Sequence, residues 1–486
     1  MWDDYQYVLD NPLIRSINLS KIFSAYVVGS YNPVTITAYA AEYFFFNLNA
    51  GGYHFVNLFF HLLNTSLVFF LVFLLSNKTT VAFIASLLFG IHPLHAESVA
   101  WISELKDLLY TFFFLAALIC YLKYLSRSKR KYYVFTLLFF LLSLLSKAMA
   151  ASLPIVLLLL DYLQGRNAST KTWLEKLPFF VAAIAAGIVA IFAQQSATPE
   201  GTEIFPLIQR TVFAAYSFLI YLFKLLVPFQ LSAYYSYPVH PGESIPALYY
   251  LCFVLLLVFA VLVFYSLRVS RKIFFGTAFF AVTVLLVLQL IPFGIVIMAD
   301  RFAYVPSIGI FYLAGEGFCW LWKNKSVAWI KNSAVLLLSV TVIFYSTKTY
   351  ARCRIWKNNG TLWTDVINNH PNVAFAYFNR GTFLLEQKNY EQAENDFSKT
   401  IELKPDYFYA YVNRGNLMAR RKNFREAQND YNAAIKIDPY SAIAYYVRGL
   451  NEFYVGAKSN ACADFMHAAN LGYQPAAQAY SKISCH

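Results

Sequence analysis

Charged side chains are scarce in this chain. Of its 486 residues, 13% are Asp, Glu, Lys or Arg, about half the share of a soluble globular protein. Acidic residues are the scarcer sign, 26 against 39 Lys and Arg. This excludes an ordinary soluble enzyme, and with it a disordered or fibrous chain. Cysteine is scarce as well: six residues build no disulfide framework. Cys120, Cys252 and Cys319 lie inside apolar runs and read as small core residues. Cys353, Cys462 and Cys485 lie in polar sequence, and whether Cys462 and Cys485 pair is left open. No cleavable signal pattern precedes the first apolar run.

What the chain has instead is apolar surface: 59% of residues are hydrophobic and 19% aromatic. Apolar runs recur at 53–75, 81–94, 108–122, 132–145, 153–160, 179–193, 210–229, 245–267, 273–291, 302–322 and 327–345. Several fall short of the ~20 residues that span a bilayer, so a tight bundle with bent or re-entrant helices is expected. Ahead of them, 1–52 is polar and aromatic, with a weakly amphipathic stretch at 17–26. The basic loops at Arg127–Lys131, Arg166–Lys176, Arg268–Lys272 and Lys323–Lys325 should face the cytoplasm, and the acidic Pro199–Glu203 loop the other side. The net charge of +13 then reflects these loops, and no nucleic-acid partner is expected. Counting crossings leaves two solutions: either 210–229 does not cross fully, or 132–160 crosses once as a bent helix. Both put the segments before Tyr53 and after Tyr345 outside the cytoplasm, with the loops 95–107 and 299–307.

Past Ala351 the chain turns polar and repeats every 34 residues. Tyr377, Tyr411 and Tyr445 form one column; Gly381, Gly415 and Gly449 a second; Ala393, Ala427 and Ala461 a third; Phe397, Tyr431 and Phe465 a fourth. Pro405 and Pro439 close two units, Pro371 closes a half-unit containing Trp363, and 474–483 suits a capping helix. Gly and Ala let paired helices approach, aromatics fill the space between units, and Pro stops the second helix. This is the tetratricopeptide pattern. The expected organisation is all-α: a first segment at 1–52, a polytopic membrane bundle at 53–347 and a repeat α-solenoid at 348–486.

Ionisable residues within such a bundle are functional candidates because they are costly there. Asp3 and Asp4 form a carboxylate pair between Trp2 and Tyr5. Such a pair at a membrane face can take a proton from a hydroxyl, or it is merely a solvated terminus. His92, His95, Glu97, Lys106 and Asp107 cluster in HPLHAESVAWISELKDLL. The His-x-x-His-x-Glu spacing only hints at metal, since Pro93 disrupts the helix a metal motif needs, and no metal is expected. A polar cavity, or ordinary interfacial hydrogen bonding, is the alternative. Lys147 interrupts two apolar runs and Arg301 follows Asp300 in ADRFAYVPSIG. A phosphate would satisfy both; snorkelling of Lys147 and an Arg301–Asp300 pair would do so without a ligand.

The ordered motifs WDDYQYVLDNP, YNPVT, YHFVNLFFHLLN, HPLHAESVAWISELKDLL, LLSKAMAASLPIVLLLLDYL and DRFAYVPSIG, followed by the repeats, resemble the transmembrane and tetratricopeptide-repeat-containing O-mannosyltransferases and their bacterial relatives. That resemblance implies a GT-C glycosyltransferase with a polyprenyl-phosphate sugar as donor substrate and no further cofactor. It implies that Asp3 and Asp4 sit beside the acceptor hydroxyl, Asp3 as base. Lys106, Lys147 and Arg301 would hold the donor phosphate, while His92, His95, Glu97 and Asp107 would shape the sugar and acceptor pocket. An inverting displacement of a hexose, mannose above all, onto a Ser or Thr of a protein is expected, in a bacterial cytoplasmic membrane or an endoplasmic reticulum. Asn379 and Asn413, two residues before the Gly column, would line a groove for an extended peptide. The family carries Arg where Leu105 stands, often an acidic residue where Ala148 stands, and a membrane helix before the acidic pair; whether such a helix belongs before Met1 is left open. These departures keep a non-catalytic scaffold, whose repeats recruit partners, as the alternative. A transporter would show a matched pair of interrupted helices.

Overall fold

The computed structural model describes residues 3–167, 169–195, 205–239, 241–291, 296–324, 328–483 and 485. Trp2, the Pro199–Glu203 loop and Lys325 lie outside the described residues. The chain forms two compact units, Met1–Lys357 and Asn358–His486.

In the first unit the apolar runs become helices: α1 (Pro33–Phe46), α2 (Ala50–Ser76), α3 (Thr79–Ile91), α4 (Leu105–Arg127), α5 (Arg130–Ser146), α6 (Leu153–Leu163), α7 (Leu177–Gln195), α8 (Leu207–Leu226), α9 (Ala247–Val269), α10 (Arg271–Leu285), α11 (Ser307–Asn324) and α12 (Ala328–Ile355). α1 was not expected; the amphipathic stretch before it holds only one helical turn, Leu19–Phe23. Among the described residues five helices are long and apolar enough to cross a membrane, and six if the bent pair around Pro93 is one span. This fits a multi-pass membrane protein. In the most apolar window of α9 only 6% of residues are buried within the protein. Leu251, Val254, Val261, Leu262 and Phe264 are exposed, and an apolar belt of that extent needs lipid rather than water.

Helix direction follows from side-chain contacts. α4 and α5 are antiparallel: Ser143 donates to the Tyr110 carbonyl at one end (2.7 Å), and the Tyr124 and Tyr133 rings meet at the other (5.5 Å). α6 runs parallel to α4, since Lys147 just ahead of it pairs with Asp107 and Asp161 near its end accepts from Tyr121 (2.6 Å). The 132–160 stretch is therefore two opposed helices, not one bent helix. Lys147 is extended (φ −161°, ψ 129°), and the 3-10 turn Ala148–Ser152 reverses the chain there. α8 starts beside the start of α9, with Phe213 and Tyr216 on Tyr249. Its C-terminal Leu225 carbonyl accepts from His92 Nε2 (3.2 Å), and its Tyr221 hydroxyl bonds Ala299.

The basic loops converge at one end of the bundle. Tyr124 donates to Glu175 (3.2 Å), Tyr162 to the Leu267 carbonyl (3.4 Å), and Glu316 bridges Lys78 and Lys272 (2.9 and 2.8 Å). α10 and α11 cross at two glycines: a Cβ on Gly309 would lie 2.4 Å from the Gly276 carbonyl oxygen. Without a hydrophobic drive between helices in lipid, such backbone approach supplies the packing.

The second unit is a helical solenoid: α13 (Asn359–Asn369), α14 (Ala374–Glu386), α15 (Tyr390–Leu403), α16 (Phe408–Arg420), α17 (Phe424–Ile437), α18 (Ala442–Tyr454), α19 (Lys458–Asn470) and the cap α20 (Gln474–Lys482). Cβ atoms on Gly381, Gly415 and Gly449 would lie 2.9, 2.7 and 2.9 Å from the rings of Phe397, Tyr431 and Phe465. The glycine and aromatic columns are one contact repeated three times. A second repeated contact joins Arg380, Arg414 and Arg448 to Asp396, Asp430 and Asp464, each by two parallel hydrogen bonds of 2.7–2.9 Å. Each Arg also reaches the preceding unit, at Thr364, Ser398 and Asn432. One side chain thus ties two units together, and the Asp hydrogen bonds hold these guanidinium groups above their ordinary pKa. Cys462 and Cys485 are disulfide-bonded.

Gly415→Val should lower the stability of the repeats by about 1–3 kcal/mol through overpacking against Tyr431. Tyr431→Ala in the same chain should recover part of that loss. Urea unfolding followed by helical circular dichroism checks this; additive losses would show that the two side chains do not meet.

Candidate active site

The elements that build the site are short because the sequence interrupts every long helix there. Pro93 disfavours helical backbone at His92, which is extended (φ −73°, ψ 132°). The chain then makes the turns Pro93–His95, Ala96–Ala100 and Ile102–Glu104 before α4 begins. Irregular backbone carries unpaired polar groups, and here side chains take them up. Asn57 donates to the Val99 and Trp101 carbonyls (3.2 and 3.0 Å), and Tyr39 to the Ile102 carbonyl (3.1 Å).

Three carboxylates, Glu97, Glu104 and Asp107, form the floor, each 1% exposed. Three cations cover them. Lys147 pairs with Asp107 and lies 3.6 Å from Glu104. Arg301 pairs with Glu97 and lies 3.3 Å from Glu104. Lys106 lies 3.3 Å from Glu104. The cation side chains keep 12–15% exposure against 1% for the acids, so they lie nearer the surface than the carboxylates they pair with. Aromatic faces hold them in place: Lys106 lies 4.6 Å from the Tyr7 ring centroid, and Arg301 5.2 Å from Trp101 and 4.9 Å from Phe302. Trp101 is itself stacked on Trp356.

Asp3 and Asp4 join this cluster in unequal roles. Asp4 is buried and accepts from the backbone N–H of Ser103 (3.0 Å) and from its hydroxyl, which pins the first segment to the floor. Asp3 makes no side-chain hydrogen bond or ion pair with any described residue. Burial pushes its carboxyl above the ordinary aspartate range, with Lys106 as the main opposing influence. A partly buried carboxylate left free beside a row of cations can accept a proton from a hydroxyl brought to it.

His92 and His95 are placed behind this cluster. His92 accepts from the Leu94 N–H and bonds the Leu225 carbonyl. His95 bonds the Phe89 carbonyl (2.7 Å) and Ser307 (3.2 Å), within rings from Phe89, Tyr304 and Phe311. Both tie the Pro93 turn to its neighbours. Lys147 does not snorkel, and Arg301 pairs with Glu97 rather than Asp300, whose carboxylate accepts from Tyr235 (2.6 Å). Leu105 is fully buried in the core. In the repeats Asn379 donates to its own helix at Phe375 (2.7 Å), and Asn413 is half-buried.

Comparison with known proteins adds the lineage. Tetratricopeptide-repeat family models match 374–407 and 408–441. A protein O-mannosyl-transferase of Caenorhabditis elegans is 25% identical over 437 residues, covering 83% of this chain and 59% of the relative. The human protein O-mannosyl-transferase TMTC3 is 26% identical over 448 residues, covering 81% of this chain and 48% of the relative. Over most of its length the chain is thus similar to TMTC protein O-mannosyl-transferases. It spans only about half the length of TMTC3. Human TMTC2 is 34% identical over a shorter stretch of 97 residues, 20% of this chain.

Glu104, Ser103, Tyr7 and Trp101 were not singled out in the sequence. Glu104 had a signal, being an acid two residues before Lys106 in an otherwise apolar setting. Ser103 had none, since its partner lies 99 residues away.

Removing one member of a buried pair leaves the other uncompensated. Lys147→Met should destabilise the bundle by about 3–5 kcal/mol, and Lys147→Met with Asp107→Leu by clearly less. Thermal unfolding of the purified protein measures both; equal losses would show that the pair is not coupled.

Proposed function

We propose that the chain is a membrane glycosyltransferase that moves a hexose, mannose in our reading, from a polyprenyl phosphate to a Ser or Thr hydroxyl of a protein outside the cytoplasm. The observation that carries this is the division of labour in the acidic pair: Asp4 is pinned by Ser103, and Asp3 is left free beside Lys106. The acceptor oxygen would attack the anomeric carbon, its proton passing to Asp3 as the sugar–phosphate bond breaks. The leaving phosphate gathers negative charge, and Lys106, Lys147 and Arg301 would stabilise it. They are already oriented by their carboxylates, so little reorganisation would accompany the step. A single displacement by the acceptor inverts the anomeric centre. The names of the relatives favour mannose and a protein acceptor. The GT-C class and the polyprenyl donor rest on the motif resemblance and the charge arrangement. In this reading α8 does not cross the membrane fully, and the disulfide-bonded repeats lie outside the cytoplasm, where Asn379 and Asn413 would meet an extended segment of the acceptor. A bacterial cytoplasmic membrane is the setting proposed.

One observation favours the non-catalytic scaffold: each of the three cations already has a carboxylate partner, as a purely structural lock would. Transfer assays separate the two. Purified protein, with a polyprenyl-phosphate mannose and an acceptor peptide, should transfer sugar, and Asp3→Asn should reduce the rate by about 10²–10⁴-fold. Equal rates would overturn Asp3 as base, and no transfer under any donor would favour the scaffold. Because burial raises the Asp3 pKa, the base is lost as pH falls through that raised value. The acidic limb of the rate profile should therefore lie above the ordinary aspartate range and vanish in Asp3→Asn.

A further inference from the structure

A second polar site lies at the opposite end of the bundle, among the basic loops. A cavity of about 350 Å³ is bordered by Asp161, Tyr162, Arg166, Asn167, Trp173 and Arg271. Its acidic neighbours are committed elsewhere. Asp161 is bound by Lys176 (2.5 Å) and Tyr121 (2.6 Å), and Glu175 by Arg166 through two hydrogen bonds (2.7 and 3.0 Å). Arg271 has no ion pair with any described residue; its guanidinium lies 5.8 Å from the Tyr162 ring centroid. Its seat is built by the backbone. Gly165 adopts φ +72°, and a Cβ there would lie 2.6 Å from Arg271 Nη1, so a side chain at 165 would make the guanidinium shift from this place. The Asn167 amide, unbonded among the described residues, adds a donor at the same mouth. Beside it Trp173, Leu174 and Leu177 are 55–61% exposed, a combination suited to the headgroup level of a membrane.

We propose that this cavity binds the phosphate of an anionic membrane lipid, with Arg271 as its main contact. A guanidinium fork matches two phosphate oxygens, and basic pockets between membrane helices on the cytoplasmic side suit phosphate headgroups. The exposed indole and leucines favour a lipid over free phosphate as the source. This site is independent of the sugar-transfer reading, and its test does not use transfer activity.

The full chain is placed in phosphatidylcholine nanodiscs doped with phosphatidic acid, and retained lipid is counted by native mass spectrometry. Wild type should retain phosphatidic acid over phosphatidylcholine, and Arg271→Ala should weaken that retention about fivefold, the effect of one basic side chain near an anionic surface. Asn167→Asp places a carboxylate at the mouth on an exposed residue and should weaken it at least as much, which keeps the test valid where Arg271→Ala unfolds. Millimolar inorganic phosphate forms the second arm. Failure to displace the lipid supports the lipid source, and displacement would overturn it in favour of a soluble phosphate. Equal retention by wild type and both variants would overturn the site.

Discussion

Glu97, Glu104 and Asp107 are buried carboxylates in a chain with little charge to spare, and one end of the bundle is organised around neutralising them. An unpaired buried carboxylate costs several kcal/mol, so each must meet a cation. The cations come from three separate places in the sequence: Lys106 from the start of α4, Lys147 from the break after α5, and Arg301 from the turn before α11. Neutralising the floor therefore requires these elements to meet. Electrostatics here fixes tertiary structure as well as chemistry.

The same constraint explains why regular helix fails where it does. An apolar helix satisfies its own backbone, but it cannot aim several charges at one point. Pro93, the extended Lys147 and the Asp300–Ala303 turn interrupt the helices at the level where the charges meet. The freed backbone groups are taken up by Asn57, Tyr39, His92 and His95. These polar side chains in apolar runs are therefore part of the scaffold of the site. The histidines show that a suggestive spacing and a supporting role are compatible.

Much of the architecture was legible because its signals are local. The apolar runs became helices at nearly the expected places, and the 34-residue columns became Gly–aromatic contacts in the solenoid. The Arg–Asp ladder is equally periodic, but charged columns on helices usually read as solvated surface and so carry no signal of a contact. The clustering of Lys106, Lys147 and Arg301 could be suspected from their isolation among apolar residues. Their carboxylate partners could not be assigned, because which acid meets which base depends on how distant turns pack. The Asp4–Ser103 contact and the α5–α6 reversal belong to the same class. Local periodicity encodes elements, whereas the pairing of single side chains across 99 residues is a property of the assembled bundle.

We propose that the cations beside the buried carboxylates receive a lipid phosphate. An experimental structure of the protein in a nanodisc with a polyprenyl phosphate tests it most directly. Phosphate density is expected among Lys106, Lys147 and Arg301, with Asp4 still bonded to Ser103 and Asp3 beside Lys106. A phosphate bound elsewhere, with all three cations still on their carboxylates, would contradict it.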